Sequence, residues 1–144
     1  MVDSHIIWLE VLVLPLGLAS VGKARDFASA NLESHDLTYL VDPIRLVVSE
    51  LVTNALVHAL PPVIVSMQER GLSVLITVSD KSSLLPVALP HEETALGGRG
   101  LAIVDELSRK WGSNARLDGG KSVWASFDKK TNGTTPGTNP AYPS

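Results

Sequence analysis

The chain has 144 residues, the length of one ordinary domain, and its 44% hydrophobic and 19% charged residues exclude a disordered chain. Lys and Arg number 12 against 15 Asp and Glu, a net charge of −3, which excludes a broadly basic protein, so we expect no direct nucleic-acid partner. The sequence contains no cysteine, which excludes disulfide frameworks, thiolate zinc sites and iron–sulfur clusters.

The longest apolar stretch covers residues 6–19. Glu10 and Pro15 interrupt it, and it is shorter than the roughly 20 residues that a membrane-spanning helix needs. The first basic residue is Lys23, so no positive segment precedes the apolar run as it would in a signal peptide. We therefore expect a soluble cytoplasmic protein without membrane contact.

The first part of the chain predicts one strand and two helices. Residues 6–14 are rich in Ile, Val and Leu and predict the strand. A helix over about 21–32 is expected next, with Ser20 as its N-cap. Asp42-Pro43 is typical of a helix start, with Asp as the cap and Pro at the first helical position, so a second helix is expected to run to about Ala59.

The later segments predict two hairpins separated by a loop and a helix. In chain order these are a hairpin of 63–68 and 72–79, a loop over 80–99, a helix over 100–110 and a closing hairpin of 113–118 and 122–127. Residues 129–144 hold few core-forming side chains and predict a disordered tail, which leaves 1–128 as the folded domain. This order predicts an α+β fold, a two-layer α/β sandwich whose mixed, mostly antiparallel sheet is covered by helices on one face.

Glu50, Asn54 and His58 are spaced four residues apart on the second predicted helix. At about 100° per residue they form one stripe beside the apolar face. A carboxylate at that edge is unfavourable unless something pairs with it, and no Lys or Arg lies three or four positions away on this side. A bound cation would resolve this, because Asn supplies an oxygen ligand to Mg²⁺ and Glu holds a water. A solvated rim with an exposed Glu50 is the alternative.

Two further segments carry features of a phosphate and base site. Gly97-Gly98-Arg99-Gly100-Leu101 precedes a predicted helix, where glycines allow close backbone approach and Arg99 would contact phosphate oxygens. A glycine-rich hinge with a surface arginine explains the same residues. Asp80 ends a strand, where an acceptor would take the exocyclic amine of an adenine, and a turn-forming aspartate is the alternative.

These segments, in this order, resemble the GHKL ATPase superfamily, and more closely the anti-sigma-factor serine kinases, over about residues 15–128. The matching motifs are the N box, the adenine-binding box, the second glycine box and the closing hairpin, which correspond to 50–59, 78–80, 97–104, Trp111-Gly112 and 119–124. The resemblance implies a Bergerat-type ATP-binding fold. Lys81-Ser82-Ser83 departs from the pattern, since many members carry a glycine two positions after the aspartate.

The resemblance also implies a role for each matching residue. Glu50 would act as the general base, and Asn54 would coordinate Mg²⁺ between the phosphates of ATP. Asp80 would accept a hydrogen bond from adenine, with Ser122 near the adenine end, and His58 is expected to pack near the phosphates. The other nucleotide contacts would come from the second glycine box and the lid over 87–99, namely Gly98, Arg99, Gly100 and Leu101.

With ATP and Mg²⁺ as cofactors, the resemblance implies an anti-sigma regulatory factor, a serine protein kinase that phosphorylates an anti-sigma antagonist protein and sequesters a sigma factor. A nucleotide-gated protein-binding regulator without kinase activity needs the same pocket, and the sequence does not separate the two. A structural interaction domain that has lost nucleotide binding is opposed by the intact Glu50, Asn54 and Gly100. We expect a homodimer, with Ile6-Ile7-Trp8 in its interface.

Overall fold

The computed structural model describes residues 5–58, 62–81 and 97–129. The elements of this part of the chain are, in order, β1 (Ile6–Leu14), α1 (Ala19–Ser34), a short 3-10 helix (Thr38–Leu40), α2 (Val41–His58), β2 (Val63–Arg70), β3 (Ser73–Asp80), α3 (Gly97–Leu107), β4 (Lys110–Ala115) and β5 (Lys121–Asp128). None of the helices in these ranges is both long and apolar enough to cross a membrane.

The strands form one five-stranded sheet in the order β1-β2-β3-β5-β4. Every strand pair is antiparallel, so the described sheet is antiparallel throughout rather than mixed. Buried and half-buried residues alternate along β2, β3 and β5, which shows that one face of the sheet is packed and the other is not. The predicted α+β sandwich is therefore confirmed.

The packed face of the sheet and the inner faces of the helices form one core. The sheet contributes Val63, Val65, Met67, Val74, Ile76, Val78, Val123, Ala125 and Phe127. The helices contribute Ala24, Ala28, Leu32, Ile44, Val47, Val48, Leu51, Val52 and Ala55. We call the other side of the sheet the helix-free face; it carries the alternate residues of the same strands, such as Ser79, Ser122 and Trp124.

Both predicted helix starts are wrong in detail. Ser20 lies inside α1, whose N-cap residue is Leu18, and its buried hydroxyl donates a hydrogen bond of 2.6 Å to the carbonyl oxygen of Pro15. The 3-10 helix leads directly into α2, so α2 begins at Val41 and Asp42 lies in its first turn instead of capping it. The Ser20 hydroxyl thus holds the connection between β1 and α1.

The β4–β5 turn brings the start of β5 against the end of β3. Gly119 has a φ of 94°, a backbone conformation that favours glycine. A Cβ atom on Gly120 would collide with the carbonyl oxygen of Asp80 and would lie 3.0 Å from the Cα atom of Lys81. In the resulting register Asp80 lies directly opposite Lys121.

The predicted lid and tail lie mostly outside the described residues. Of the lid over 87–99, only its last three positions are described, and they form the start of α3, which begins at Gly97 rather than at Gly100. Lys129 is bound to the domain, since its N–H donates to Leu72 at 3.0 Å and its ammonium contacts Glu69 at 2.6 Å. Lys129 is the last described residue before 130–144, which lie outside the described part, so the predicted boundary at 128 stays a prediction.

Candidate nucleotide site

Glu50 and Asn54 lie on one edge of α2. The other edge contacts α1, where Arg45 donates a hydrogen bond of 2.6 Å to the Ser29 hydroxyl. By helical geometry Glu50 and Asn54 lie well away from Arg45, and α2 packs against α3 as well as α1. The two polar side chains therefore border the α3 side of the helix, beside the buried Val47.

The Glu50 carboxyl and the Asn54 amide are both half-buried. Neither forms a hydrogen bond or ion pair in the ranges that the structure describes. Burial raises the pKa of the Glu50 carboxyl above its ordinary value of 4.5, because the charged form loses hydration. The arrangement offers an amide oxygen and a proton acceptor one helical turn apart.

Asp80 closes β3 on the face of the sheet that packs against the helices, and it is paired with a residue that our sequence reasoning missed. The Lys121 ammonium of β5 lies 2.8 Å from Oδ2 of Asp80, and the two side chains are only 6% and 1% exposed. The predicted closing hairpin could have indicated that Lys121 lies near Asp80, because its second strand pairs with β3. Only the register decides which of its residues faces the aspartate.

The Ser122 side chain lies on the opposite face of the sheet from Asp80, and its predicted place near the adenine end stays a prediction. Successive side chains of a strand point to opposite faces, and Lys121 occupies the packed face. The Ser122 hydroxyl instead lies 2.8 Å from the Ser79 hydroxyl on the helix-free face.

The second glycine box forms the beginning of α3. Gly98, Arg99 and Gly100 lie in its first turn, which contains no acidic residue, and Leu101 is buried at 3% exposure. Free N–H groups and the positive end of the helix dipole favour an anion at such a terminus. His58 is the last residue of α2. The side chains of His58 and of 97–100 lie outside the described part of the structure.

The topology brings the end of α2 and the end of β3 to the same end of the sheet. The chain passes from α2 to β2 within residues 59–62, so the last turn of α2 stays close to the start of β2. Ile64 at that start pairs with Ser79, next to Asp80. Since α2 also packs against β3 and α3, the Asn54 edge and Asp80 border one region between the helices and the sheet.

A family model for the histidine kinase-like ATPase domain matches residues 14–127. The chain belongs to this family. The match runs from the end of β1 into β5 and so includes every element of the site, and it confirms the predicted superfamily. Domains of this kind bind ATP, usually with Mg²⁺. A comparison with curated protein sequences finds no match.

The residues present fit a magnesium nucleotide whose metal arrives with the phosphates. In the described ranges no group of three or more His, Cys, Asp or Glu side chains is arranged to hold a metal ion. Mg²⁺ is commonly held by one or two protein oxygens together with substrate phosphates and waters, and Asn54 offers such an oxygen. At the end of the site expected to bind adenine, Asp80 is paired with Lys121, a contact that the sequence analysis did not include.

Proposed function

We propose that this protein is an ATP-binding anti-sigma regulatory factor with serine protein kinase activity, acting in the cytoplasm. It phosphorylates a serine of an anti-sigma antagonist protein and sequesters a sigma factor on a separate surface. The observation that carries the proposal is the half-buried Glu50 carboxyl, without a partner in the described ranges, one turn from Asn54. Membership of the ATPase family supports the use of a nucleotide, and the resemblance of the N box supports the finer assignment.

In this proposal Glu50 is the general base. Its carboxylate accepts the proton of the serine hydroxyl as the serine oxygen bonds to the γ-phosphorus and the bond from that phosphorus to the leaving ADP oxygen breaks. A pKa raised by burial strengthens the carboxylate as a base near neutral pH. Phosphoryl transfer requires chiefly positioning and charge neutralisation, so few protein groups are needed.

The other residues hold the nucleotide. Asn54 binds Mg²⁺, which supplies neutralisation of the phosphate charge. The first turn of α3, with Gly98, Arg99 and Gly100, contacts the phosphates through its N–H groups. Leu101 is buried at the base of that turn and fixes it against the domain.

The test is transfer of label from γ-labelled ATP to candidate antagonist proteins by the wild type and by Glu50→Gln. The variant should bind ATP as the wild type does and lose transfer by about a hundredfold or more, the usual contribution of a positioned base. Glu106→Gln, at an exposed position of α3, is the matched control and should transfer label normally.

Two outcomes would contradict the proposal. Transfer by Glu50→Gln at the wild-type rate would show that Glu50 is not the base. Tight ATP binding by the wild type without transfer to any antagonist that it binds would instead support a nucleotide-gated regulator without kinase activity, which uses the same pocket.

A further inference from the structure

The Lys121 ammonium has unused hydrogen-bonding capacity in an enclosed place. It carries three N–H donors, and Asp80 is its one partner among the described contacts. The side chain is only 6% exposed, so water does little to satisfy the remaining donors. Enclosed donors without acceptors are unfavourable, which indicates that an acceptor joins this ion pair in another state of the protein.

A second ion pair of the same sheet, Lys129 with Glu69, gives a comparison for the hydrogen bonds and exposure of a lysine with a structural role. The Lys129 ammonium donates to Oε2 of Glu69 at 2.6 Å and to the carbonyl oxygen of Gly71 at 3.0 Å. Its side chain is 19% exposed, which leaves room for water. Lys121 has no second acceptor among the described residues and little contact with solvent, although both lysines neutralise a carboxylate on the packed side of the sheet.

The location of the pair identifies the acceptor class. Asp80 stands where the base of the nucleotide is expected, and a carboxylate accepts several hydrogen bonds at once. The pair therefore presents a donor and an acceptor side by side to a flat ligand. The edge of adenine presents the complementary groups, namely the N1 ring nitrogen as an acceptor beside the 6-amino group as a donor.

We propose that Lys121 and Asp80 read the base together, with the ammonium donating to N1 of adenine while the carboxylate accepts from the 6-amino group. This inference rests on the proposed binding of ATP and assigns a specificity-determining role to a residue outside the predicted set. Guanine is rejected in the same orientation, because its 6-oxo group meets the carboxylate and its N1–H meets the ammonium.

The test compares ATP with 1-deaza-ATP, which keeps the 6-amino group and lacks the N1 acceptor, by titration calorimetry. The wild type should bind 1-deaza-ATP about tenfold to a hundredfold more weakly, as expected for loss of a hydrogen bond to a charged group. Lys121→Met should bind the two nucleotides equally. Lys129→Met breaks the other ion pair, about 20 Å away along β3, and should keep the wild-type ratio.

A second variant covers the risk that Lys121→Met leaves an unpaired buried carboxylate and unfolds. The double substitution Asp80→Asn with Lys121→Met removes both charges, and circular dichroism checks its fold. It should likewise bind ATP and 1-deaza-ATP equally.

The outcomes separate the two proposals. Equal binding of ATP and 1-deaza-ATP by the wild type would overturn the role of Lys121 and leave the proposed function standing. Tighter binding of GTP than of ATP would also overturn it. Failure of the wild type to bind either nucleotide would overturn both.

Discussion

The Glu50 carboxyl is half-buried without a cation beside it in the described ranges, and this ties its protonation to stability. Because its pKa is raised above 4.5 in the folded state, the folded protein holds this proton more tightly than the unfolded chain does. The stability gained from this proton is fully present below about pH 4.5 and is lost as the pH rises through the raised pKa. Glu50 thus lowers stability at neutral pH.

Replacing Glu50 by Gln should therefore raise the urea midpoint at pH 7 and leave it unchanged at pH 4. The gain should be small, because the side chain keeps contact with solvent that screens its charge. Glu106→Gln controls for the loss of one negative charge at an exposed site. A lower midpoint for Glu50→Gln at pH 7 would mean that the carboxylate has a stabilising partner.

Asn54→Ala should weaken ATP binding in the presence of Mg²⁺ by at least about tenfold, because it removes an oxygen ligand. In EDTA the variant and the wild type should bind ATP alike, which calorimetry measures directly. Thr53→Ala, one residue away and at a different angle on α2, is the control. Equal Mg²⁺ dependence in Asn54→Ala and the wild type would contradict the metal role.

At the scale of single residues, helical spacing was a better guide than strand position. The stripe of Glu50 and Asn54 follows from their spacing of four, which tolerates an error of a residue in the helix boundaries. The choice between Lys121 and Ser122 depends on strand register, where an error of one residue exchanges the two faces. That register belongs to the pairing of β5 with β3, two strands far apart in the sequence, and a local pattern does not reveal it.

At the scale of elements, two glycines of the closing hairpin differ in the atoms that a side chain at their position would meet. A Cβ atom on Gly120 would meet backbone, the carbonyl group of Asp80, which has no freedom to move. A Cβ atom on Gly112 would lie 2.9 Å from the Trp124 ring, a half-buried side chain on the helix-free face, and a side chain shifts more easily than backbone does. The first contact is therefore rigid and the second is adjustable.

Gly120→Ala should consequently destabilise the protein by more than about 2 kcal/mol, and Gly112→Ala by about 1 kcal/mol or less. Urea unfolding at neutral pH measures both. Gly120→Ala should also weaken ATP binding, because it displaces the end of β3 at Asp80, whereas Gly112→Ala should not. Equal losses of stability in the two variants would contradict this account of the turn.

The sequence pattern predicted the helices and strands themselves, but it did not predict where the helices begin. The predicted β1 matches the structure, because a segment rich in Ile and Val ends before Pro15 and Gly17. The start of α1 was wrong because the Ser20 hydroxyl finds a carbonyl acceptor in the preceding connection, a tertiary contact that capping rules do not contain. The start of α2 was wrong because a 3-10 helix continues into it.

At the scale of the whole molecule, β1 is one of the two edge strands of the described sheet, with β4 at the other edge, and it bears on the predicted homodimer. Trp8 makes contacts within the chain: its Nε1 donates to Glu69 at 2.6 Å and its indole stacks on His35 at 4.2 Å. Its predicted place in an interface stays a prediction. The exposed apolar side chains of β1 are Ile6, Ile7, Leu9, Val11 and Val13, at 43% to 60% exposure, and Glu10 is exposed among them.

An exposed apolar edge strand of this kind favours pairing with the same strand of a second copy of the chain. Two β1 strands related by a twofold axis pair antiparallel, satisfy each other's backbone groups and set the two aliphatic rows side by side. We therefore expect Val11→Lys, which places a charge in the middle of the row, to convert a dimer into a monomer in sedimentation experiments. Leu117→Lys, at a fully exposed position in the β4–β5 turn, should leave the dimer intact. A wild type that stays monomeric at about 100 µM, above the dissociation constants of stable dimers, would refute this use of β1.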